Sequence, residues 1–306
     1  MRASPCLVAL LAGVAIGTIT DRARPRPPCA LGDGRLLAAD FHLHSSTWSD
    51  GALTPIGLVL EAERQGLDAI AITGHDEVAD AKVGRWFSRL VGGPTVLVGQ
   101  EILAPGHHLI GVGTEEVVDS SLPLAAQIDA IHSQGGVAIA AHPTASFWPG
   151  FDAAALAKLD AAEIAHPSIY VDPELQRDYE QFAAKGSFAA IGSSDFHGVG
   201  RMGLCRTYLL ARDDSPDAVL SALKEHRTLV FGRDGQAYGD SHLRSEVERD
   251  PALLARLKTD ATTDPPSTWL DWVGRACGLC GLFGLVARRR AARGQEAPPD
   301  KRPSVR

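Results

Sequence analysis

Residues Phe41–Gly51 read FHLHSSTWSDG: two histidines one residue apart, then an aspartate six positions after the second. The run before them, Leu37–His42, is apolar apart from Asp40 until it reaches the first histidine. In an extended strand, residues i and i+2 point to the same side, so His42 and His44 can address one cation. A lone H-x-H is more often a polar loop than a ligand pair. Its meaning depends on whether other apolar runs end in ligand-type residues too.

They do. Leu37–His42, Leu67–Thr73, Thr95–Gly99, Leu109–Val112, Val137–Ala141, Ala161–Ala165 and Phe188–Ile191 are predicted as strands. They are continuous rather than alternating, as strands covered on both faces should be. Amphipathic segments fill the gaps. One starts at Thr54 as N-cap with Pro55 in its first turn, and Ile56, Leu60 and Ala62 are its expected inner face. Repeated βα units place the chain in the α/β class, as a parallel barrel or a doubly wound sheet.

Ligand types gather at the strand ends. The first gives His42, His44 and then Asp50. The second gives His75 and Asp76, the third Glu101, the fifth His142, and the last Asp195 and His197. The fourth strand begins near His107 and His108, which compete for one role, and His108, opening HLIGVG, is preferred. In a parallel barrel the C-terminal strand ends open on one face, where residues distant in sequence converge. Imidazole with carboxylate suits zinc, manganese or iron, and Glu101 is placed to bridge two ions. Arg201, just past the last pair, is a candidate for bidentate contact with a phosphate. His166 follows the sixth strand and is expected to line the pocket.

The chain has 306 residues, 45% hydrophobic and 22% charged, with a net charge of −7. That is the balance of a globular protein. No Lys/Arg-rich run interrupts the centre, so no nucleic-acid-binding surface is evident and a small molecule is the expected partner. Of five cysteines only Cys205 lies centrally, so no disulfide framework holds that region.

The ends differ from the middle. Residues 1–35 comprise a signal-like apolar segment, Leu7–Ile19, and a Pro/Arg linker. Residues 36–239 form the expected catalytic domain, and residues 240–266 a polar linker. Residues 267–306 hold an apolar segment with paired Trp, an Arg cluster and a basic tail, which suggests membrane association. The expectation is export or membrane association with the domain outside the cytoplasmic membrane; the alternative is a cytoplasmic protein.

The motifs DFHLHSSTWSDG, GLDAIAITGHDE, GQEI with GHHLIGVG, AHP and GSSDFHG occur in this order between about Leu36 and Phe231. On these residues the chain resembles the PHP family, named for polymerase and histidinol phosphatase, and its stand-alone phosphoesterase branch. The resemblance implies a distorted seven-stranded (β/α)7 TIM-like barrel holding two or three divalent transition metal ions (Mn, Zn or Fe). His42, His44, Glu101 and Asp195 would hold one ion. Glu101, His108 and His142 would hold the second, and Asp50, His75 and His197 the third. Asp50 and His75 are also candidate catalytic residues, with Arg201. The implied reaction is hydrolysis of a small phosphomonoester or phosphodiester through a metal-bridging hydroxide. The alternatives are a hydrolase of carboxyl or carbamate esters, or a catalytically silent scaffold. Two departures stand out: some members have His at position 50, and many have Asp where this chain has Gly74.

Overall fold

The computed structural model describes residues 4–20, 29–144, 148–198, 200–262 and 269–295. The expected Pro/Arg linker and basic tail fall largely outside them. Two compact units emerge, Ala23–Asp264 and the pair Met1–Arg22 with Pro265–Arg306.

The larger unit is a barrel-shaped sheet. Its strands are β1 (Ala30–Leu31), β2 (Gly34–Asp40), β3 (Ala69–Ile72), β4 (Thr95–Ala104), β5 (His107–Val112), β6 (Val137–Ala140), β7 (Ala161–Ala165), β8 (Ala189–Gly192), β9 (Thr207–Ala211), β10 (Thr228–Phe231) and β11 (Ala237–Gly239). The order runs β11-β10-β9-β2-β3-β4-β5-β6-β7-β8, with β1 on β2. The expected strands are β2 to β8. β1 and β9 to β11 were not anticipated. The sheet nearly closes where the Thr207 hydroxyl on β9 accepts from Gly192 N at 2.9 Å and donates to Gly192 O at 2.7 Å on β8.

The barrel is not wholly parallel. β5 runs antiparallel to both β4 and β6, and β9 runs antiparallel to β2. The reversal of β5 brings its first residues, rather than its last, to the end where β2, β3, β4, β6 and β8 finish.

In the described part of this unit the helices are α2 (Pro55–Arg64), α3 (Ala79–Val91), α4 (Leu124–Ser133), α5 (Ala153–Leu156), α6 (Ser168–Val171), α7 (Leu175–Ala183), α8 (Pro216–Lys224), α9 (Ser241–Glu248) and α10 (Pro251–Thr262). The other unit holds α1 (Pro5–Thr20) and α11 (Trp269–Gln295). Thr54 caps α2 by accepting from Gly57 N at 3.1 Å. The buried face of α2 is Leu58, Val59 and Ala62, while Ile56 and Leu60 are exposed. The i, i+4 stripe that meets the sheet runs through 58 and 62, so only Ala62 of the expected inner face is buried.

One apolar cluster draws Leu37, Ala39, Phe41, Ala71, Leu97, Ile110, Ile139, Ala161, Ile191 and Leu209 from β2 to β9 and their ends, and fills the barrel. Residues of opposite parity, such as Leu36, Ile70 and Val98, pack outward with α2 and α3.

Residues 240–262 are not a linker. Asp240 caps α9 by accepting from Leu243 N at 2.6 Å. Leu243, Val247, Leu253, Leu257 and Ala261 are buried in the cluster that holds Phe231 and Tyr208. The charges that suggested a linker lie between these residues, whose i, i+4 spacing gives each helix one narrow apolar stripe.

In the smaller unit α1 and α11 pack antiparallel along glycine. A Cβ built on Gly13 would lie 2.5 Å from Gly278 N, and one on Gly281 would crowd the backbone of Cys6 and Leu10. Arg288 Nη1 donates to Ser4 Oγ at 2.8 Å. Large apolar side chains instead point outward, among them Leu11, Val14, Leu282 and Phe283. Among the described residues no helix is long and apolar enough to cross a membrane.

Candidate metal centre

Six chain segments deliver polar side chains to one end of the barrel. Beyond β2, the Leu43 amide bonds the Thr73 hydroxyl at 3.1 Å and His44 N donates to Phe196 O at 3.0 Å. These bonds keep His42 and His44 extended; both are fully buried. His75 follows β3 and makes a parallel bridge with Glu101 on β4. His108 opens β5, His142 follows β6, and Asp195 and His197 follow β8. His142 and Asp195 have φ of +29° and +45°, conformations that L residues rarely adopt. The strain aims both side chains inward.

Glu101 is the hub. Its Oε2 lies 3.2 Å from His42 Nε2, 3.4 Å from His44 Nε2 and 3.1 Å from His75 Nδ1. Its Oε1 lies 2.8 Å from His108 Nδ1 and 3.2 Å from His142 Nε2. Asp195 Oδ1 is 3.2 Å from His42 Nε2 and 3.1 Å from His44 Nε2. Asp50, on the exposed loop after His44, is 3.3 Å from His75 Nε2 and 3.2 Å from His197 Nε2. All nine sequence-predicted ligands are therefore brought together.

Whether the residues suit a cation is tested by their own hydrogen bonding. His42 Nε2, His44 Nε2, His75 Nδ1 and Asp195 Oδ1 are buried with no hydrogen-bond partner among the described residues. Buried polar atoms are normally satisfied. Here the orphans converge, and ligand atoms lie within 4.8 Å of one another in four sets. The sets are His44, Asp50, His75 and His197; His42, His44 and Glu101; His42, His142 and Asp195; and Glu101, His108 and His142. This donor set fits divalent transition metals.

Charge follows the same plan. Burial alone would make the His42 imidazolium more acidic, but Asp195, Glu101 and Glu163 outweigh it and hold the group well above its ordinary range. Burial instead dominates at His44, which is brought down to about 4. Burial opposes ionisation of Glu101 as well, yet the surrounding imidazoles hold its carboxyl well below the usual range.

Other expectations need correction. Arg201 is buried beneath the surface, its Nε on Gln65 Oε1 at 3.2 Å and its Nη2 on Asp260 O at 2.7 Å. Those contacts hold α10 to the barrel and give no phosphate contact in the cluster. His107 points the other way from His108, toward Gln127 Oε1 at 2.9 Å, because neighbours on a strand face opposite sides. At Gly74 an added Cβ would collide with the Glu77 carboxylate, so Glu77 fills the space that an Asp would need.

Three participants went unread or were only half read. His166 Nε2 is 3.3 Å from Asp195 Oδ2, so this pocket candidate reaches a predicted ligand directly. Trp148 lays its ring 3.9 Å from that of His108. Glu163, mid-strand on β7, bonds His42 from behind. The signal for Glu163 was present, a single acid in the apolar run AAEIA.

A family model described as PHP-associated (PHP_C) matches residues 176–228, which include Asp195 and His197. Over that segment the chain is similar to the PHP family. Its fold is shared with a Bacteroides vulgatus two-domain protein described as containing a predicted PHP-like metal-dependent phosphoesterase. The TM-score is 0.59 at 23% identity, over 74% of this chain and 73% of that one. A lesion-specific endonuclease of Pyrococcus furiosus is similar at TM-score 0.41 and 12% identity, over 76% and 74%. An uncharacterized protein of Methanocaldococcus jannaschii is 26% identical over 117 residues, 35% of this chain and 68% of the relative.

Proposed function

We propose that this protein is a metal-dependent hydrolase of small phosphomonoesters or phosphodiesters. The observation that carries the reading is the convergence of orphaned, buried ring nitrogens and a carboxylate oxygen at the barrel mouth. His42, His44, Glu101 and Asp195 would hold one ion, and Glu101, His108 and His142 another. Asp50, His75 and His197, with His44 beside them, would hold a third. Bound ions would supply Lewis acidity toward the ester and acidify its attacking water.

The chain's own part is placement and charge. Glu101 presents one oxygen to each of two groups of imidazoles, which fixes the spacing of the subsites. Six histidines accompany only three carboxylates, Asp50, Glu101 and Asp195. Two or three divalent cations would leave such a shell net positive, which favours an anionic phosphate over a neutral ester. Trp148 covers His108 and narrows access for water from that side.

The test is a panel of a phosphomonoester, a phosphodiester and a carboxyl ester, given to chelated and Mn-reloaded protein, with His142→Ala as control. Metal-dependent cleavage of a phosphate ester that is lost in the control is expected. Turnover of the carboxyl ester alone, or turnover without metal, would overturn the reading.

We propose as well that the α1/α11 unit associates with a lipid surface. Its outward Leu, Val, Trp and Phe and the Arg side chains near the end of α11 support this reading. Flotation of the full chain with anionic vesicles tests it, and recovery only in the unbound fraction would sink it.

A further inference from the structure

β7 contributes none of the expected ligands, yet its central residue touches three of the segments that do. Glu163 is fully buried and is flanked in sequence by Ala161, Ala162, Ile164 and Ala165. A carboxylate in such surroundings is strongly unfavourable unless every lone pair is used. It has no Lys or Arg among its hydrogen-bond partners. Oε1 accepts from His42 Nδ1 at 2.9 Å and from the Ser193 hydroxyl. Oε2 accepts from His142 N at 2.6 Å. The β7–β8 register shifts between Glu163 and Ala165, and such irregularities re-aim side chains beside active sites.

Each bond has a distinct consequence. An ionised carboxylate only accepts, so it keeps the proton of His42 on Nδ1. Nε2 is then the nitrogen that faces Glu101 and Asp195, and a cation bound there would take the place of its proton. The bond to His142 N holds a residue whose φ of +29° the chain would otherwise avoid. Ser193 stands two positions before Asp195. One carboxylate thus fixes a ring on the β2 end, a backbone on the β6 end and the approach to a ligand on the β8 end.

We infer that Glu163 is a positioning residue that couples the His42/Asp195 subsite to the Glu101/His108/His142 subsite. The inference rests on the metal-centre reading above. It extends that reading, because the two subsites then weaken together when a group outside both is changed.

The experiment titrates Mn2+ into chelator-stripped full-length protein by calorimetry, and Co2+ by its visible absorption, which reports ligand geometry. Glu163→Gln keeps the size but offers an amide donor to one of the two faces. It is expected to weaken the Mn2+ phases of both subsites roughly 10–100-fold, the usual scale for losing a partner behind a ligand, and to change the Co2+ spectrum. His108→Ala is expected to weaken only one phase. Unchanged Mn2+ affinity in Glu163→Gln, or loss in a single phase with the other intact, would overturn the inference. A wild type that binds no metal defeats the metal-centre reading itself, and the coupling with it. If Glu163→Gln folds poorly, Ser193→Ala decides. It removes one donor to the carboxylate, so a several-fold loss in both phases supports the coupling and an unchanged isotherm refutes it.

Discussion

The two units solve burial in opposite ways. The barrel hides large apolar side chains and collects its polar groups at one end, where several atoms lack hydrogen-bond partners among the described residues. The α1/α11 pair hides glycine and shows its large apolar residues. In the first, apolar area removed from water supplies stability. In the second, close backbone approach supplies the contact, as between helices in apolar surroundings, where burying more hydrocarbon gains nothing. A polar site thus needs a thick core behind it, while a glycine seam needs no core.

The comparison can be broken at five positions. Glu101→Gln should have the largest effect, a fall in hydrolysis of roughly 10²–10³-fold, the scale of losing one preorganised electrostatic group. Asp50→Asn, on the exposed rim, should cost about tenfold; equal losses in steady-state rates would remove Glu101 from its place as hub. Next, Leu58→Ala, between α2 and the sheet, should destabilise by about 2–5 kcal/mol in denaturant melts. A neutral result there would mean that the core between α2 and the sheet is not what holds the larger unit. Third, Gly13→Leu should cost about 1–3 kcal/mol by overpacking the seam. Limited proteolysis would show it as faster cleavage in α1, with hydrolysis unchanged. Smallest of all, Leu11→Ser on the outer face of α1 should shift stability in water by less than about 0.5 kcal/mol. A larger shift would show that this face is covered.

The sequence revealed strands β2 to β8 and the residues that gather at the mouth because each is a local pattern: an apolar run, then His, Asp or Glu. Direction is not local. The run Leu109–Val112 reads equally well either way, so the reversal of β5 was invisible, although His108 at its start already hinted at it. α9 and α10 were hidden by composition, since five buried residues among many charges look like a solvated segment. Arg201 misled for a related reason. Its position after the Asp195/His197 loop suggested the mouth, but only the packed position of α10 decides where its guanidinium goes. Glu163 was readable as an oddity, while its three partners, up to 121 positions away, were not.

The reversal of β5 has a further consequence for how the molecule assembles. Glu101 and His108 lie on one hairpin, seven positions apart, joined through Pro105 and the positive-φ Gly106. The Asp40–Ser194 contacts beneath His42 and Asp195 close a span of 154. Loop-closure entropy rises with the logarithm of length, so the hairpin pair forms at about 3 kcal/mol less closure cost. Half of the Glu101 hub is therefore available to the chain early in folding, and the half that needs Asp195 waits until the barrel closes.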